Sequence, residues 1–248
     1  MTCNLLTDSL YSWGKSAFRK RAEAILAMFD EEQPDIVGGQ EYTVRMKYRL
    51  SPLLEKYGFT GEPRSIRFSE YTPVLWRKDR FDRIESDTLW LSDTPEVPGS
   101  RHFGSQFPRI VTYAVLKDKN TGHLLTVFNT HLDLNFPTVR LKQIHTLLSL
   151  IREKGQGHII LTGDFNETSR GKGIQELRTV MHDAVPDSFG SSLRGKAGST
   201  TNHNLPVDHI FHSGGLQWKK TKMIRRKFGD IAPSDHYPVV CELIELQK

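Results

Sequence analysis

Six short polar segments are spread along the 248 residues, each at the end of a strand-like run: Asn4 in TCNLLTD, Gln40-Glu41 in PDIVGGQEY, His131 in FNTHLD, Asp164-Phe165-Asn166 in LTGDFNE, Asp208 in PVDHIF and Asp235-His236 in PSDHYPV. Together they offer carboxylates, carboxamides and imidazoles. A hard divalent cation takes such oxygen ligands, and the same groups orient water and stabilise charge at a phosphoester. Glu41, just past the apolar run Ile36-Val37-Gly38-Gly39, could hold Mg²⁺ or Mn²⁺ at a sheet edge. It could equally be an acid at the start of a helix. Asp164 and Asn166 stand two apart; on an extended segment they share a face and could position a water and a phosphoryl group. GDFN alone also reads as a turn. His236 needs a carboxylate to fix its tautomer, and Asp208 could supply it; Asp235 could complete a metal region. A protonated His131 could stabilise a phosphoryl group in transit, and Arg109 could clamp a phosphate with both arms of its guanidinium. The structural alternatives are a core histidine and an exposed strand-edge arginine.

The elements that must carry these residues follow from periodicity. Phe18, Ala22, Ile25, Leu26 and Phe29 fall on one stripe of a helix over 16–32, which Pro34 ends. Met46, Leu50, Leu53, Leu54 and Tyr57 indicate further helix, interrupted at Ser51-Pro52 and closed by Gly58. Strands are expected at 1–6, 36–39, 73–78, 81–92, 109–118, 123–132, 158–163, 209–213, 218–224 and 236–246. Lys119-Asn120-Thr121-Gly122 reads as a hairpin turn. Leu141, Ile144, Leu148 and Ile151 mark a helix ending at Gly155, and 173–182 a weaker one. Long antiparallel strand runs with interleaved helices imply an α+β layered fold, two packed sheets with helices outside. A parallel doubly wound fold is the alternative, and the 119–122 hairpin argues against it. Ser92 to Pro108 is the longest irregular segment and a candidate substrate-binding loop.

With 37% hydrophobic residues and no internal repeat, the chain is expected to form one domain over 1–248. No apolar run reaches membrane-spanning length, so no membrane association is expected. MTCNLLTDSL lacks the features of an export signal, and if that start is the natural one a cytoplasmic location follows. Cys3 and Cys241 read as free thiols, and no paired cysteine spacing supports zinc. The net charge of +5 favours phosphate-bearing ligands without identifying nucleic acid. The basic stretch Lys219-Lys220-Thr221-Lys222 to Arg225-Arg226-Lys227 reads as a solvated strand face in preference to a nucleic-acid groove.

The ordered set Asn4, Gln40-Glu41, Asn129-Thr130-His131-Leu132, Gly163-Asp164-Phe165-Asn166, Asp208-His209-Ile210 and Ser234-Asp235-His236-Tyr237-Pro238-Val239 resembles the endonuclease/exonuclease/phosphatase (DNase I-like) superfamily, along nearly the whole chain. The resemblance implies a four-layer α/β/β/α sandwich and a metal-dependent phosphoric ester hydrolase using Mg²⁺ (or Mn²⁺). Residue by residue, it implies Glu41 as principal metal ligand with Asn4 beside it and Asp235 as an extra carboxylate. It gives Asp164 and Asn166 the nucleophilic water and the phosphate, Asp208 the orientation of His236, and His131 the place of a second histidine. The proton acceptor is left open between Asp164 and His236. The chain departs from abasic-site endonucleases, which carry a tyrosine region near His131, and from inositol polyphosphate 5-phosphatases, whose signatures around GDFN and VDHIF are absent. It is similar to small bacterial members near the CCR4-like branch. Specificity is expected from Arg109, Tyr71, Arg101 and Phe103, with Trp13, Tyr42, Arg45, Lys47, His102, Phe107 and Phe136 as further candidates. The expected substrate is a small phosphorylated metabolite such as a sugar phosphate; the alternative is a phosphodiester in DNA or RNA. No obligate protein partner is expected.

Overall fold

The computed structural model describes residues 1–8, 14, 17–66, 70–194 and 204–246; Trp13 lies outside them. Two six-stranded sheets form its frame. Sheet one contains β1 (Thr2–Asn4), β2 (Ile36–Gln40), β4 (Tyr57–Thr60), β6 (Val74–Arg77), β13 (Leu216–Met223) and β14 (Val239–Glu245), in the order β13-β14-β1-β2-β6-β4. Sheet two contains β7 (Phe81–Trp90), β8 (Ile110–Asp118), β9 (Leu124–His131), β10 (His158–Asp164), β11 (His182–Asp183) and β12 (Asp208–His212), in the order β11-β12-β10-β9-β8-β7. A ribbon of β3 (Tyr42–Thr43) and β5 (Glu70–Tyr71) sits apart. Pairing is antiparallel except at the centre of each sheet, where β1 runs parallel to β2 and β9 parallel to β10. The hairpin between β8 and β9 closes as expected, with Gly122 at φ 77°.

Strand alternation gives each sheet two apolar faces, and helices cover the outer ones. On sheet one, Phe18, Ala22, Ile25, Met28 and Phe29 of α1 (Phe18–Glu32) pack on Cys3, Val37 and Leu75, joined by α2 (Val44–Arg49) and α3 (Leu53–Lys56). On sheet two, Ile144, Leu147 and Leu150 of α4 (Pro137–Lys154) and Ile174 and Leu177 of α5 (Lys172–Val180) cover Val111, Tyr113, Val115, Phe128 and Leu161. Val74, Trp76, Ala114, Leu116 and Val127 fill the space between the sheets. The result is the four-layer α/β/β/α sandwich.

One expectation is corrected. Gly58 does not close a helix but lies inside β4. A Cβ there would stand 2.2 Å from the Trp76 indole, so glycine is required by the ring packed against it. The basic strand β13 is a solvated face, with Lys220 paired to Glu242 and Lys222 to Glu32. Cys3 and Cys241 are free thiols.

The two sheets approach most closely beside the parallel pairs. Asn129 of β9 reaches across to donate to the carbonyls of Gly39 (2.7 Å) and Pro73 (2.9 Å). Its Oδ1 accepts from Gln40 Nε2 (2.7 Å) and Thr162 Oγ1 (3.0 Å). Gly38 makes this approach possible: a Cβ on it would lie 2.0 Å from Thr162 Oγ1 and 2.5 Å from Asn129 Oδ1. Side chains two apart on a strand share a face. Thr2, Asn129 and Thr162, in or beside this buried polar layer, therefore direct Asn4, His131 and Asp164 to the same inner face, one step nearer the strand ends.

Candidate active site

Register assembles the site. In sheet two, Asp164 pairs with His131 on one side and Asp208 on the other, placing three ionisable residues in a row across β9, β10 and β12. In sheet one, Asn4 pairs with Gln40, and Glu41 follows. Glu41 takes a left-handed backbone conformation (φ 56°), which costs a residue with a Cβ about 1–2 kcal/mol. Its carboxylate is held there by the Thr7 N–H on Oε2 (2.8 Å) and Asn4 Nδ2 on Oε1 (3.0 Å).

Asp164 Oδ2 is the meeting point. It accepts from Asn4 Nδ2 at 3.0 Å and stands 3.6 Å from His131 Nε2 and 3.8 Å from His236 Nε2. Asp164 Oδ1 accepts the Asn166 N–H at 2.9 Å. On its far side His236 is hydrogen-bonded through Nδ1 to Asp208 Oδ2 at 2.8 Å. Six of the residues singled out in the sequence, Asn4, Glu41, His131, Asp164, Asp208 and His236, thus form one continuous buried or half-buried network. Asp235 is exposed; its Oδ1 accepts from Ser234 Oγ (3.2 Å), and its charge acts on His236 and on the buried Arg21. Tyr71 and Arg109 line a cavity of about 10 Å³ beside Glu41 and His131. That is room for about one water-sized atom.

The electrostatics divide the two histidines. Burial disfavours charge on His236, but the charges of Asp208 and Asp164, the Asp208 hydrogen bond and Asp235 outweigh it and raise the pKa to about 10. His236 is an imidazolium at neutral pH. Burial and then the Arg109, Arg64 and His236 charges push His131 well below its ordinary value. The expectation of a protonated His131 is therefore corrected: it is a neutral ring, able to donate one N–H. Burial and the like charge of Asp208 raise Asp164 to about 6, against the opposing effects of His236, the Asn166 N–H and Asn4.

Other expectations meet different geometry. Asn166 is not on an extended segment; it is left-handed (φ 48°), and its Nδ2 donates to the Leu132 carbonyl at 3.0 Å. The Asp164 Oδ1 bond to its N–H folds the chain there, a turn that asparagine tolerates. Asn4 presents N–H groups to the carboxylates, because its Oδ1 accepts the Leu6 N–H (2.9 Å). It is a carboxylate clamp between Glu41 and Asp164 in this arrangement. Arg101 is engaged by the carbonyls of Ser105 and Gln106 in its own loop, and Phe103 is exposed at that loop's tip. Neither meets the network. Tyr42 is buried against Phe59 and Tyr71, which removes it as a stacking surface.

Sequence reasoning missed Arg21, whose guanidinium is buried under the site. It donates to the carbonyls of Leu5 and Leu6, after β1, and of Pro233, just before Asp235-His236. Its signal was its position, three residues after Phe18 and four before Ile25, on the apolar stripe of the helix. Asp8, which accepts from Thr43 Oγ1 at 2.7 Å, and the buried pair Arg64–Glu70 (2.9 Å) had no comparable signal. A far larger cavity, about 490 Å³, opens among the start of β2, the start of β10 and the end of β14, away from this network. The chemistry sits where charged groups converge, so volume does not locate it.

Two sheets thus carry a carboxylate–imidazole network between their strand ends. The family model described as "Endonuclease/Exonuclease/phosphatase family" matches residues 1–236, and the chain belongs to that family. It is accordingly a phosphoester hydrolase. A Bacteroides thetaiotaomicron protein of the family superposes with a TM-score of 0.87 at 25% identity, covering 99% of this chain and 97% of the other. A mannosyl-6-phosphatase from the same organism superposes at 0.81 with 26% identity, covering 98% of each. The uncharacterized protein L388 of Acanthamoeba polyphaga mimivirus is 26% identical over 257 residues, 94% of this chain and 92% of its own length.

Proposed function

We propose that this chain is a Mg²⁺- or Mn²⁺-dependent phosphatase acting on the terminal phosphate of a small metabolite such as a sugar phosphate. The observation that carries the reading is Asp164 Oδ2, on which Asn4, His131 and His236 converge from three different strands and loops. The site's donors suit a hard cation. Asp164, Asp208 and His236 form one buried group whose ligand atoms lie within 4.8 Å of one another, and Asp208 Oδ1 is buried without a hydrogen-bond partner among the described residues. Because Asp208 Oδ2 and His236 Nδ1 are already joined, the reading assigns the cation to the Glu41 side, with Asp235 as the second carboxylate. When bound there, a divalent cation supplies charge to a phosphoryl oxygen and to the departing alkoxide.

The remaining steps belong to the protein. Asp164, half protonated near pH 6, orients the attacking water and takes its proton. Asp208 keeps His236 charged, so that Nε2 donates to a non-bridging oxygen as negative charge builds. His131, neutral, donates to a second oxygen. Asn4 holds Glu41 and Asp164 at fixed separation while charge moves between them. The small-substrate reading is supported by the ion pairing of the basic face, where Glu31 and Glu32 engage Arg226 and Glu32 also engages Lys222. It is supported too by the structural relative named a mannosyl-6-phosphatase.

The test is a screen of sugar phosphates, single-stranded and duplex nucleic acid, and aryl diesters with each metal, beside Glu41→Ala, Asp164→Ala and His236→Ala. Phosphate release from a sugar phosphate, lost by about a hundredfold or more in each variant, is the expected result. Cleavage confined to nucleic acid, with affinity falling steeply with salt, would replace the small-substrate reading.

A further inference from the structure

Arg109 stands just before β8, where the Leu91 N–H binds its carbonyl at 2.7 Å. The residue is only 6% exposed, yet no hydrogen bond or ion pair to its side chain occurs among the described residues; its Nε, like those of Arg64 and Arg140, is buried without a hydrogen bond. Buried guanidinium groups elsewhere in the molecule are engaged. Arg21 has three carbonyls, Arg140 has those of Asp133 and Leu134 (3.1 Å each), and Arg64 has Glu70. Removing a charge from water without a partner is costly. The folded chain keeps Arg109 in that condition on the wall of the one-atom cavity it shares with Glu41, Arg64, Glu70, Tyr71 and His131.

The groups facing it are mixed in sign. Burial and then Arg64 lower its pKa, and Glu70, Asp133 and Asp164 oppose them. Glu70 is already matched by Arg64, and Asp133 accepts from Ser105 Oγ (3.0 Å) and the N–H groups of Asn135 and Phe136. The planar fork of Arg109 is therefore the unspent cationic group beside the network, and it matches two oxygens of one phosphate.

We propose that Arg109 anchors the terminal phosphoryl group and makes the site selective for phosphomonoester dianions over diesters. The inference rests on the phosphatase reading and assigns its specificity to one residue. A terminal phosphoryl group carries three non-bridging oxygens and two negative charges. One oxygen fits the cavity, and the second charge repays the desolvation that the ligand-free chain bears. A diester also offers the fork two non-bridging oxygens, but it carries one charge and so repays less of that desolvation.

The experiment compares wild type, Arg109→Met and Arg109→Lys by three measurements. The first is kcat/KM with Mg²⁺ on p-nitrophenyl phosphate and on bis(p-nitrophenyl) phosphate. The second is calorimetric binding of inorganic phosphate to the metal-free chain. The third is thermal melting without phosphate. Arg109→Met is expected to lose about a hundredfold on the monoester and less than fivefold on the diester, and to weaken phosphate binding at least tenfold. Arg109→Lys is expected to fall between, keeping charge without the fork. Removal of the unpartnered charge is expected to raise the melting temperature of Arg109→Met by about 2–4 °C; a structural arginine would lower it. Equal losses on both esters, phosphate binding unchanged, or a lowered melting temperature with full phosphate affinity each overturn the proposal. Failure of wild type to cleave either ester would sink the phosphatase reading, and the phosphate-binding arm would still decide Arg109.

Discussion

Replacing Asp208 by Asn tests the electrostatic core of the site with two independent readouts. The Asp208 Oδ2–His236 Nδ1 bond is 2.8 Å and both side chains are almost fully buried. The folded pKa of His236 is raised from 6.5 to about 10. That gap corresponds to roughly 4–5 kcal/mol favouring the imidazolium in the folded chain. A group whose folded pKa is raised contributes stability that is complete below pH 6.5 and gone above about pH 10. The His236 contribution should therefore fall by about 1 kcal/mol per pH unit across this window, or about 2–3 kcal/mol between pH 7 and 9. Asp164, raised to about 6, titrates mainly below pH 7, and the buried N-terminus, lowered from 8.0 to about 6, acts in the opposite sense, so the slope is read as the difference between variant and wild type. Asp208→Asn removes the largest attraction and the hydrogen bond, leaving Asp164 at 3.8 Å, and should cut the pH 7–9 loss by at least half. Urea unfolding with a chelator at each pH measures it. In the same variant phosphate release at pH 7 should fall by about 10²–10⁴-fold, because His236 no longer holds its proton or its orientation. A variant with the same slope between pH 7 and 9 as wild type would refute this account of His236.

Two further outcomes follow from geometry remote from the reacting atoms. Gly38→Ala drives a methyl group into Thr162 Oγ1 and Asn129 Oδ1, at 2.0 and 2.5 Å, and should cost about 2–5 kcal/mol by overpacking and lost buried hydrogen bonds; a loss below about 1 kcal/mol in urea unfolding would show the sheets are not locked there. Asp183 accepts from His209 Nδ1 (3.0 Å), Arg178 Nη2 (2.8 Å) and the Val185 N–H (3.0 Å). Burial would raise its pKa, but His209 and these bonds hold it below 3.8, so its contribution is present above that pH and disappears as pH falls through the folded value. Asp183→Asn should lower stability at pH 7 and flatten the acid limb of a pH–stability curve; an acid limb identical to wild type would be the contrary result.

The fold was legible where one signal suffices. The helical stripe of Phe18, Ala22, Ile25 and Phe29, the hairpin at 119–122 and the strand runs on each side of it all appear near their expected places. Tyr57–Thr60 was not legible, because an apolar tyrosine at helical spacing and a glycine look like the end of a helix, and only the Trp76 ring packed over Gly58 explains a strand. The site was legible as a set of residue types, since register at strand ends brings Asp164, His131 and Asp208 into one row. Their protonation was not. His131 and His236 are both buried imidazoles near Asp164, and they separate only because Asp208 faces one and Arg109 and Arg64 face the other. Such differences depend on neighbours 20 to 160 positions away in sequence, as with the Asn4–Asp164 bond.

That opposition of charges also explains why the two sheets need a rigid polar layer beside the site. Asp164 is held at about 6 by burial and Asp208, so small changes in its distance from His236 would move its proton affinity through neutral pH. Asn129 fixes one sheet against the other, accepting from Gln40 Nε2 (2.7 Å) and donating to the Gly39 and Pro73 carbonyls (2.7 and 2.9 Å), while Thr162 braces its Oδ1 from within the same sheet (3.0 Å). Arg21 fixes the Leu5–Leu6 turn against Pro233 from the helix side. The reacting groups belong to both sheets, with Asn4 and Glu41 carried by one, Asp164, His131 and Asp208 by the other, and His236 entering from the loop before β14. An interface of apolar side chains alone would leave that spacing to non-directional packing. Directional bonds across the sandwich set it, and the poise of Asp164 between carboxylate and acid is the consequence.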